Sequence, residues 1–353
     1  MMNLNKFKVF KQVPKLLFGK GSIDRLEELL PTINHKRDYY IFVIDKVLRK
    51  EKFISNFEKE FHQIIWFDAS LNEPKTNQID AICSKISLNP IAIVGIGGGS
   101  TLDVAKSISI MLNNPGSCED YQGWDLVRNP SIYKIGIPSI SGSGAEASRT
   151  AVLTSEVKKQ GINSDHSMFD AIILDSNLTL TVPVEQHFFT AMDCFIHCVE
   201  SIEGTMINEI SKGFADKALD LCLEVFTDEF DADKLMVASY FGGVSIVNSE
   251  VGICHALSYG LSMEYNLRHG LANCIVFNML SNYYPKHVEI FKKLLKKFKI
   301  VLPENVCTNI NEETLNRMVD TTYRMEKPLI NALGHNFKDI LTPDKIKALY
   351  KLM

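Results

Sequence analysis

Residues 91–106 read IAIVGIGGGSTLDVAK. Ile91 to Ile96 has the length and apolar composition of a buried strand, Gly97-Gly98-Gly99-Ser100 follows without a bulky side chain, and Thr101 to Lys106 continues in a helix-like pattern. A strand, a side-chain-free turn and a helix N-terminus together aim backbone N–H groups and the positive end of the helix dipole at an anion such as a pyrophosphate. The spacing departs from the dinucleotide fingerprint G-x-G-x-x-G, because a reading from Gly95 meets Ser100 where the third glycine belongs. A tight turn without any ligand is the other reading of these residues taken alone.

The flanking sequence repeats the strand-then-helix alternation. Tyr39 to Ile44 (YYIFVI) is a second buried strand, and Ile64 to Phe67, Lys134 to Ile137 and Ala171 to Leu174 are shorter candidates, each bounded by Gly, Pro, Asp or Asn. This alternation predicts a parallel sheet flanked by helices. Strand signals stop near residue 180. From Pro183, a helix-opening residue, the periodicity is helical (FFTAMDCFIHCVESI, KGFADKALDLCLEVF, KLMVASYFGGVSIVNS), and the chain closes on a helix with Thr342 as cap and Pro343 as first residue. With 353 residues the chain is long enough for two cores, and the expected division is an α/β domain over 1–182 and an all-α domain over 183–353.

Lys plus Arg number 38 against 42 Asp plus Glu, a net charge of -4 that provides no footprint for tracking nucleic acid. No stretch approaches the ~18 consecutive apolar residues that span a bilayer. The lysine-bearing N-terminus has no continuous apolar segment and no small-residue cleavage site, so it does not read as a secretory signal, and a cytoplasmic location is expected. The 8 cysteines form no C-x-x-C pair and read as reduced.

Three further features carry chemistry. Asp45 ends the strand that begins at Tyr39, where a carboxylate can accept from a ribose hydroxyl and repel a 2′-phosphate, or simply cap the next turn. Pro138-Ser139-Ile140-Ser141-Gly142-Ser143-Gly144-Ala145-Glu146 again follows a strand and is dense in hydroxyls that suit phosphate or amide groups. Asp193 and His197 stand four apart in a helical stretch and so share one face, with His255 and His269 further along the chain. One carboxylate and three imidazoles suit Fe²⁺ or Zn²⁺ better than Ca²⁺ or Mg²⁺, although a D-x-x-x-H pair is also an ordinary surface ion pair. Cys194 and Cys198 are each rotated ~100° from their liganding neighbours and read as core packing.

Taken together, GGGSTLDVAK at 97–106, IPSISGSGAEAS at 137–148, D-x-x-x-H at 193–197, G-x-x-H-A at 252–256 and H-G at 269–270, in this order and with Asp45 ahead of them, resemble the iron-containing (group III) alcohol dehydrogenases. The resemblance covers nearly the whole chain, and the 14-residue step from His255 to His269 is the family's own. It implies a dehydroquinate-synthase-like architecture: an N-terminal α/β dinucleotide domain with a parallel sheet and an all-helical metal domain. It also implies hydride transfer between an alcohol carbon and nicotinamide, with NAD, or alternatively NADP, as cofactor. Carried over by residue, Asp193, His197, His255 and His269 would hold a divalent metal. Asp45, Gly97, Gly98, Gly99, Ser100, Asp103, Ser139, Ile140, Ser143, Lys159 and Leu178 would line the cofactor. The expected partners are a small-molecule alcohol or sugar acid and a second copy of the chain, with no nucleic acid or membrane.

Two positions depart from the family pattern. Tyr259 stands where many members carry a proton-relaying histidine four residues after the third ligand, and Arg268 replaces the proline before the last ligand. A phenol donates a proton but accepts one poorly at neutral pH; a guanidinium beside a metal ligand can pair with a substrate carboxylate, or sit in a surface salt bridge. The wording of 119–154 is similar to the 3-deoxy-manno-octulosonate 8-oxidase branch, which implies oxidation of a sugar acid's terminal hydroxyl to an aldehyde, ahead of amination in surface-polysaccharide biosynthesis. Arg268 and Arg149 would suit such an anionic polyol. The alternatives are a dehydrogenase of a simple alcohol or diol, a dehydroquinate-synthase-like lyase, and a metal-storing or regulatory protein.

Overall fold

The structure is a computed structural model that describes residues 9–58, 62–69, 73–227 and 230–353. The chain divides into two compact units, Gln12–Val182 and Pro183–Met353, and residues 9–11 group with the second. Asn248 accounts for that grouping: its side chain takes the Lys11 N–H at 2.7 Å and donates to the Lys11 carbonyl at 2.7 Å.

The first unit contains strands β1 (Lys15–Phe18), β2 (Tyr40–Asp45), β3 (Gln63–Phe67), β4 (Ala92–Gly97), β5 (Gly123–Trp124), β6 (Lys134–Pro138), β7 (Thr150–Thr154), β8 (Lys159–Asn163) and β9 (Ala171–Leu174), with helices α1 (Thr76–Cys83) and α2 (Gly99–Met111). Six strands form one sheet in the order β1-β9-β6-β4-β2-β3, every pairing parallel. Every residue of β2 and β4 is buried, as a parallel sheet covered on both faces requires. The strand period sorts the side chains into two cores: Tyr40, Phe42, Ile44, Val94 and Ile96 pack on one face, and Ile41, Val43 and Ile93 meet Val104, Ala105 and Ile108 of α2 on the other.

The five strands anticipated from the sequence are all present. Four were not anticipated: β1, the pair β7 and β8 that with β5 makes a separate three-stranded sheet, and β5 itself. If β2, β3, β4, β6 and β9 are taken as first to fifth, their order is 2-1-3-4-5, and the direction of chain progression reverses between β2 and β4. In an open parallel sheet that reversal leaves a crevice at the carboxyl ends of those strands, where ligands bind. Asp45 ends β2 and Gly97 ends β4.

The second unit is helical: α3 (Val184–Ile202), α4 (Glu209–Thr227), α5 (Ala232–Asn248), α6 (Ile253–Tyr265), α7 (His269–Asn278), α8 (Pro285–Phe298), α9 (Glu312–Arg324), α10 (Glu326–Leu333), α11 (Phe337–Ile340) and α12 (Pro343–Lys351). Pro183 is the N-cap of α3, and Thr342 caps α12 by accepting from the Lys345 N–H, with Pro343 in its first turn. α3 is buried almost all round, with Phe188, Met192, Phe195 and Val199 in a core shared with α6 and α7. Among the described residues no helix is long and apolar enough to cross a membrane, and all eight cysteines are free thiols.

Candidate metal centre and cofactor turn

Three helices bring four expected ligands together. Asp193 and His197 lie one turn apart on α3, His255 is in the first turn of α6, and His269 opens α7. One donor atom from each lies within 4.8 Å of the others. Asp193 Oδ1 is 3.4 Å from His255 Nε2, 3.7 Å from His269 Nε2 and 3.8 Å from His197 Nε2. A tetrahedral cation bound at ~2.1 Å would set its ligands about 3.4 Å apart, so the cluster is close to the size such an ion needs. His197 and His255 stack with ring centroids 4.6 Å apart. Burial alone would push the Asp193 carboxyl up, but His197, His269 and His255 hold it well below the usual carboxylate range. Burial pulls the His255 imidazole down, and Glu200 and Asp193 more than reverse this, raising it to about 9. Positive charge is therefore strongly favoured at this point, and a mixed carboxylate–imidazole set fits a borderline divalent cation.

Two residues of this cluster were not found from the sequence. Asn273, one turn after His269 on α7, donates from Nδ2 to Asp193 Oδ1 at 2.6 Å, and its Oδ1 is buried without a partner. Glu200, three residues after His197 on α3, places Oε2 2.5 Å from His255 Nδ1. The available signals were the helical spacings i, i+4 and i, i+3 from expected ligands. Cys194 and Cys198 are fully buried in the helical core.

Tyr259 is buried one turn after His255, with its ring edge-on to His269 at 5.9 Å. Arg268, the N-cap of α7, donates from Nη1 to Gln186 Oε1 at 2.9 Å; among the described residues it has no ion pair, so its charge is met by a neutral amide. Arg149 differs. It is paired with Asp125 and Asp165, and its charge is already answered.

In the other unit the glycine turn is close-packed. A Cβ on Gly97 would sit 2.6 Å from Thr101 Cβ, and one on Gly99 would sit 3.1 Å from Ser143 Oγ. α2 starts at Gly99 with Gly98 as N-cap and no side-chain cap, which leaves its first N–H groups for an external acceptor. Ser139 donates its N–H to the Gly97 carbonyl, so the Ser/Gly loop and the glycine turn are one surface; Ile140 lies against Gly98. Ser100 is half-buried at the turn, and Leu178 is buried in the turn after β9. Asp45 accepts from the Val47 N–H at 3.2 Å, with its other oxygen 3.5 Å from Thr101 Oγ1. Asp103 and Lys159 are engaged by the protein: Asp103 Oδ2 accepts from the Val152 N–H at 3.0 Å, and Lys159 pairs with Glu73. Lys106, fully buried on α2, donates to the carbonyls of Ala145 (2.6 Å), Thr150 (2.8 Å) and Ser148 (3.1 Å) and thereby anchors the far end of the Ser/Gly loop.

Comparison with known proteins agrees with both halves. The chain is 35% identical over 202 residues to sulfoacetaldehyde reductase of Bilophila wadsworthia, a match covering 54% of this chain and 52% of that protein. It is 26% identical over 272 residues to alcohol dehydrogenase 4 of Schizosaccharomyces pombe, covering 74% and 64%. The match thus spans less than two thirds of either relative. The crystal structure of sulfoacetaldehyde reductase from Bifidobacterium kashiwanohense in complex with NAD+ superposes with a TM-score of 0.79 at 20% identity over 98% of both chains, which establishes the shared fold. The family model for iron-containing alcohol dehydrogenase matches residues 14–176, and that for the C-terminal part of the Fe-containing alcohol dehydrogenase family matches 187–350. Matched through both units, the chain belongs to the iron-containing alcohol dehydrogenase family.

Proposed function

We propose that this protein is a metal-dependent, NAD-linked alcohol dehydrogenase acting on the primary hydroxyl of a small anionic substrate, with a sugar acid such as 3-deoxy-manno-octulosonate, oxidised at C8, as the leading candidate. Residues 1–182 are the nicotinamide-dinucleotide domain in this reading and 183–353 the metal-binding domain. The observation that carries the activity is the convergence of Asp193, His197, His255 and His269 on one buried point. When bound, the divalent ion supplies Lewis acidity toward the substrate oxygen, and the nicotinamide ring supplies the hydride acceptor.

The chain's own residues have the following parts. The four ligands hold the ion, and Asn273 orients Asp193. Gly97, Gly98, Gly99 and Ser100 would offer backbone N–H groups to the pyrophosphate, and Ser139, Ile140, Ser143 and Leu178 would line the cofactor. Asp45 takes the ribose hydroxyl. Tyr259 supplies a phenolic proton donor one turn from His255. Asp103 and Lys159 shape the turn from beneath through Val152 and Glu73.

Arg268 supports the anionic substrate. It adjoins His269, and its hydrogen-bond partner Gln186 is neutral, so a carboxylate can take up its charge. A sulfonated aldehyde, the substrate class named for two relatives, is also an anion. The second reading is a dehydrogenase of a simple neutral alcohol, as the name of the fission-yeast relative suggests.

The test is an assay of protein reconstituted with Fe²⁺ or Zn²⁺ on sugar acids, sulfonated aldehydes, diols and simple alcohols, following nicotinamide absorbance. Anionic substrates should give the higher kcat/KM. Arg268→Ala should cost them about 1.5–3 kcal/mol, roughly 10- to 150-fold, and leave neutral alcohols nearly unchanged. Equal efficiency across the panel, with no selective effect of Arg268→Ala, would refute the anionic substrate and favour the simple alcohol. Turnover without net change in nicotinamide would point to the lyase chemistry instead.

A further inference from the structure

Glu200 is 1% exposed in the helical core, on α3, yet both its oxygens are used on α6. Oε1 accepts the Cys254 backbone N–H at 2.5 Å, with the Tyr284 hydroxyl donating to it at 3.4 Å. Oε2 lies 2.5 Å from His255 Nδ1. α6 begins after Gly252, an N-cap with no side chain to satisfy the first N–H groups. Glu200 therefore supplies from a neighbouring helix the cap that α6 lacks, and places a carboxylate at the positive end of its dipole. Gly252 makes the room, since a Cβ there would sit 2.9 Å from Glu200 Oε1.

The same geometry decides the state of the imidazole. An ionised carboxylate only accepts hydrogen bonds, so the proton of a neutral His255 must sit on Nδ1, and Nε2 keeps its lone pair toward the Asn273 Nδ2 donor at 3.2 Å, with Asp193 Oδ1 at 3.4 Å. His197 differs: among the described residues its buried Nδ1 has no hydrogen-bond partner.

We propose that Glu200 is the positioning residue of the centre: one carboxylate caps α6 and fixes the His255 tautomer, so that helix placement and ligand-atom choice are set together. This rests on the metal-centre reading above. An amide of the same shape cannot do both tasks, because Gln has one acceptor and one donor group. In Glu200→Gln the Cys254 N–H, fixed in the backbone, should claim the amide oxygen. The NH₂ then faces His255 Nδ1, which has to accept, and the ring proton moves to Nε2, the atom needed for the ion.

The experiment compares wild type, Glu200→Gln and Glu200→Asp. In metal-stripped protein, at a pH at which the His255 ring is neutral, ¹⁵N NMR of the imidazole should report Nδ1–H in wild type and Nε2–H in Glu200→Gln. Affinity for Zn²⁺, measured against a competing chelator, should fall about 10- to 100-fold in Glu200→Gln, with NAD affinity and the cooperative melt retained. Glu200→Asp, which keeps two acceptors, should keep the Nδ1–H signature. An unchanged tautomer and unchanged Zn²⁺ affinity in Glu200→Gln would reduce Glu200 to packing and overturn the proposal. If that variant fails to fold, Nε2–H in the wild type overturns it alone. Failure of the wild type to bind Zn²⁺ while the tautomer switches as expected would overturn the metal-centre reading and leave the positioning role standing.

Discussion

The turn at Gly97–Ser100 offers backbone N–H groups from neighbouring residues, whereas the histidine cluster takes four side chains from three helices, the first and last 76 positions apart (269 − 193). Each is steadied by one fully buried charge. Lys106 reaches from α2 to three carbonyls of the Ser/Gly loop, and Glu200 reaches from α3 to an N–H and an imidazole of α6. The signs are opposite because the orphaned groups are opposite: a loop presents carbonyls, a helix start presents N–H groups. A buried charge is costly unless it is fully paired. Where it persists here, it satisfies several polar groups at once and holds a segment in one place.

The largest effect should separate the two regions outright. Replacing His255 or His269 by Ala removes a proposed ligand, and tight metal binding should be lost together with about 4 kcal/mol or more of transition-state stabilisation, a thousandfold in turnover. NAD affinity should not move, because the turn belongs to the other unit. Isothermal titration of both ligands reads this directly; full metal content in the variant would mean that the four-residue assignment is wrong. Metal-free wild type should also show a pH signature. His255 is raised from 6.5 to about 9 in the folded protein, so its contribution to stability is complete below about pH 6.5 and is lost as pH rises through 9. The melting temperature should fall across that window. Added Zn²⁺ should flatten the slope, since a metal ligand needs its imidazole nitrogen unprotonated.

An intermediate effect is expected at Lys106. Burial pulls its ammonium down against the pull of Asp103 and Glu146, yet its Nζ is the shared donor for Ala145, Ser148 and Thr150. Lys106→Met keeps the volume and deserts three carbonyls, so the melt should lose about 2–4 kcal/mol. NAD should bind about tenfold more weakly as the Ser/Gly loop loosens, with Zn²⁺ affinity unchanged. Equal weakening of both ligands would show a global loss of fold and erase the contrast between the regions.

This contrast also explains what could be read in the sequence. β2, β4 and the glycine turn were visible because their burial depends on local pattern: apolar runs, then residues without side chains. β8 was not, because Lys159-Gln160-Gly161-Ile162-Asn163 reads as polar, and the buried Lys159 pairs with Glu73, far away in sequence. β1 is an edge strand of only four residues, KLLF, whose apolar Leu16 and Phe18 are exposed, so its run is too short to stand out as a strand. The grouping of Asp193, His197, His255 and His269 was legible through spacing and resemblance. Glu200, Asn273 and Lys106 were not, since a Glu or Lys on a helix reads as surface until the packing shows what surrounds it.

The smallest effect concerns Asp45, where the local and tertiary readings meet in one side chain. It caps Val47, as a strand-end aspartate often does, and it also lies at the reversal point between β2 and β4, beside Thr101 of the cofactor-turn helix. Serine caps such a turn nearly as well, so Asp45→Ser should leave stability within about 0.5 kcal/mol and change mainly the local charge. Burial raises the Asp45 carboxyl against the lowering by the Val47 N–H, which keeps the change electrostatic only while the group stays ionised. At pH 8 the wild type should therefore bind NAD in preference to NADP through repulsion of the 2′-phosphate, and the ratio should shrink by about tenfold in Asp45→Ser, on the order of the 1–4 kcal/mol between charges ~4 Å apart near a protein surface after screening. The preference should also weaken as pH falls toward the raised carboxyl value, a trend Asp45→Ser should lack. Fluorescence titration with NADH and NADPH at two pH values measures both. A ratio that is the same in wild type and variant would leave Asp45 as a cap alone, and cofactor choice would have to be made elsewhere on the Gly97–Ser143 surface.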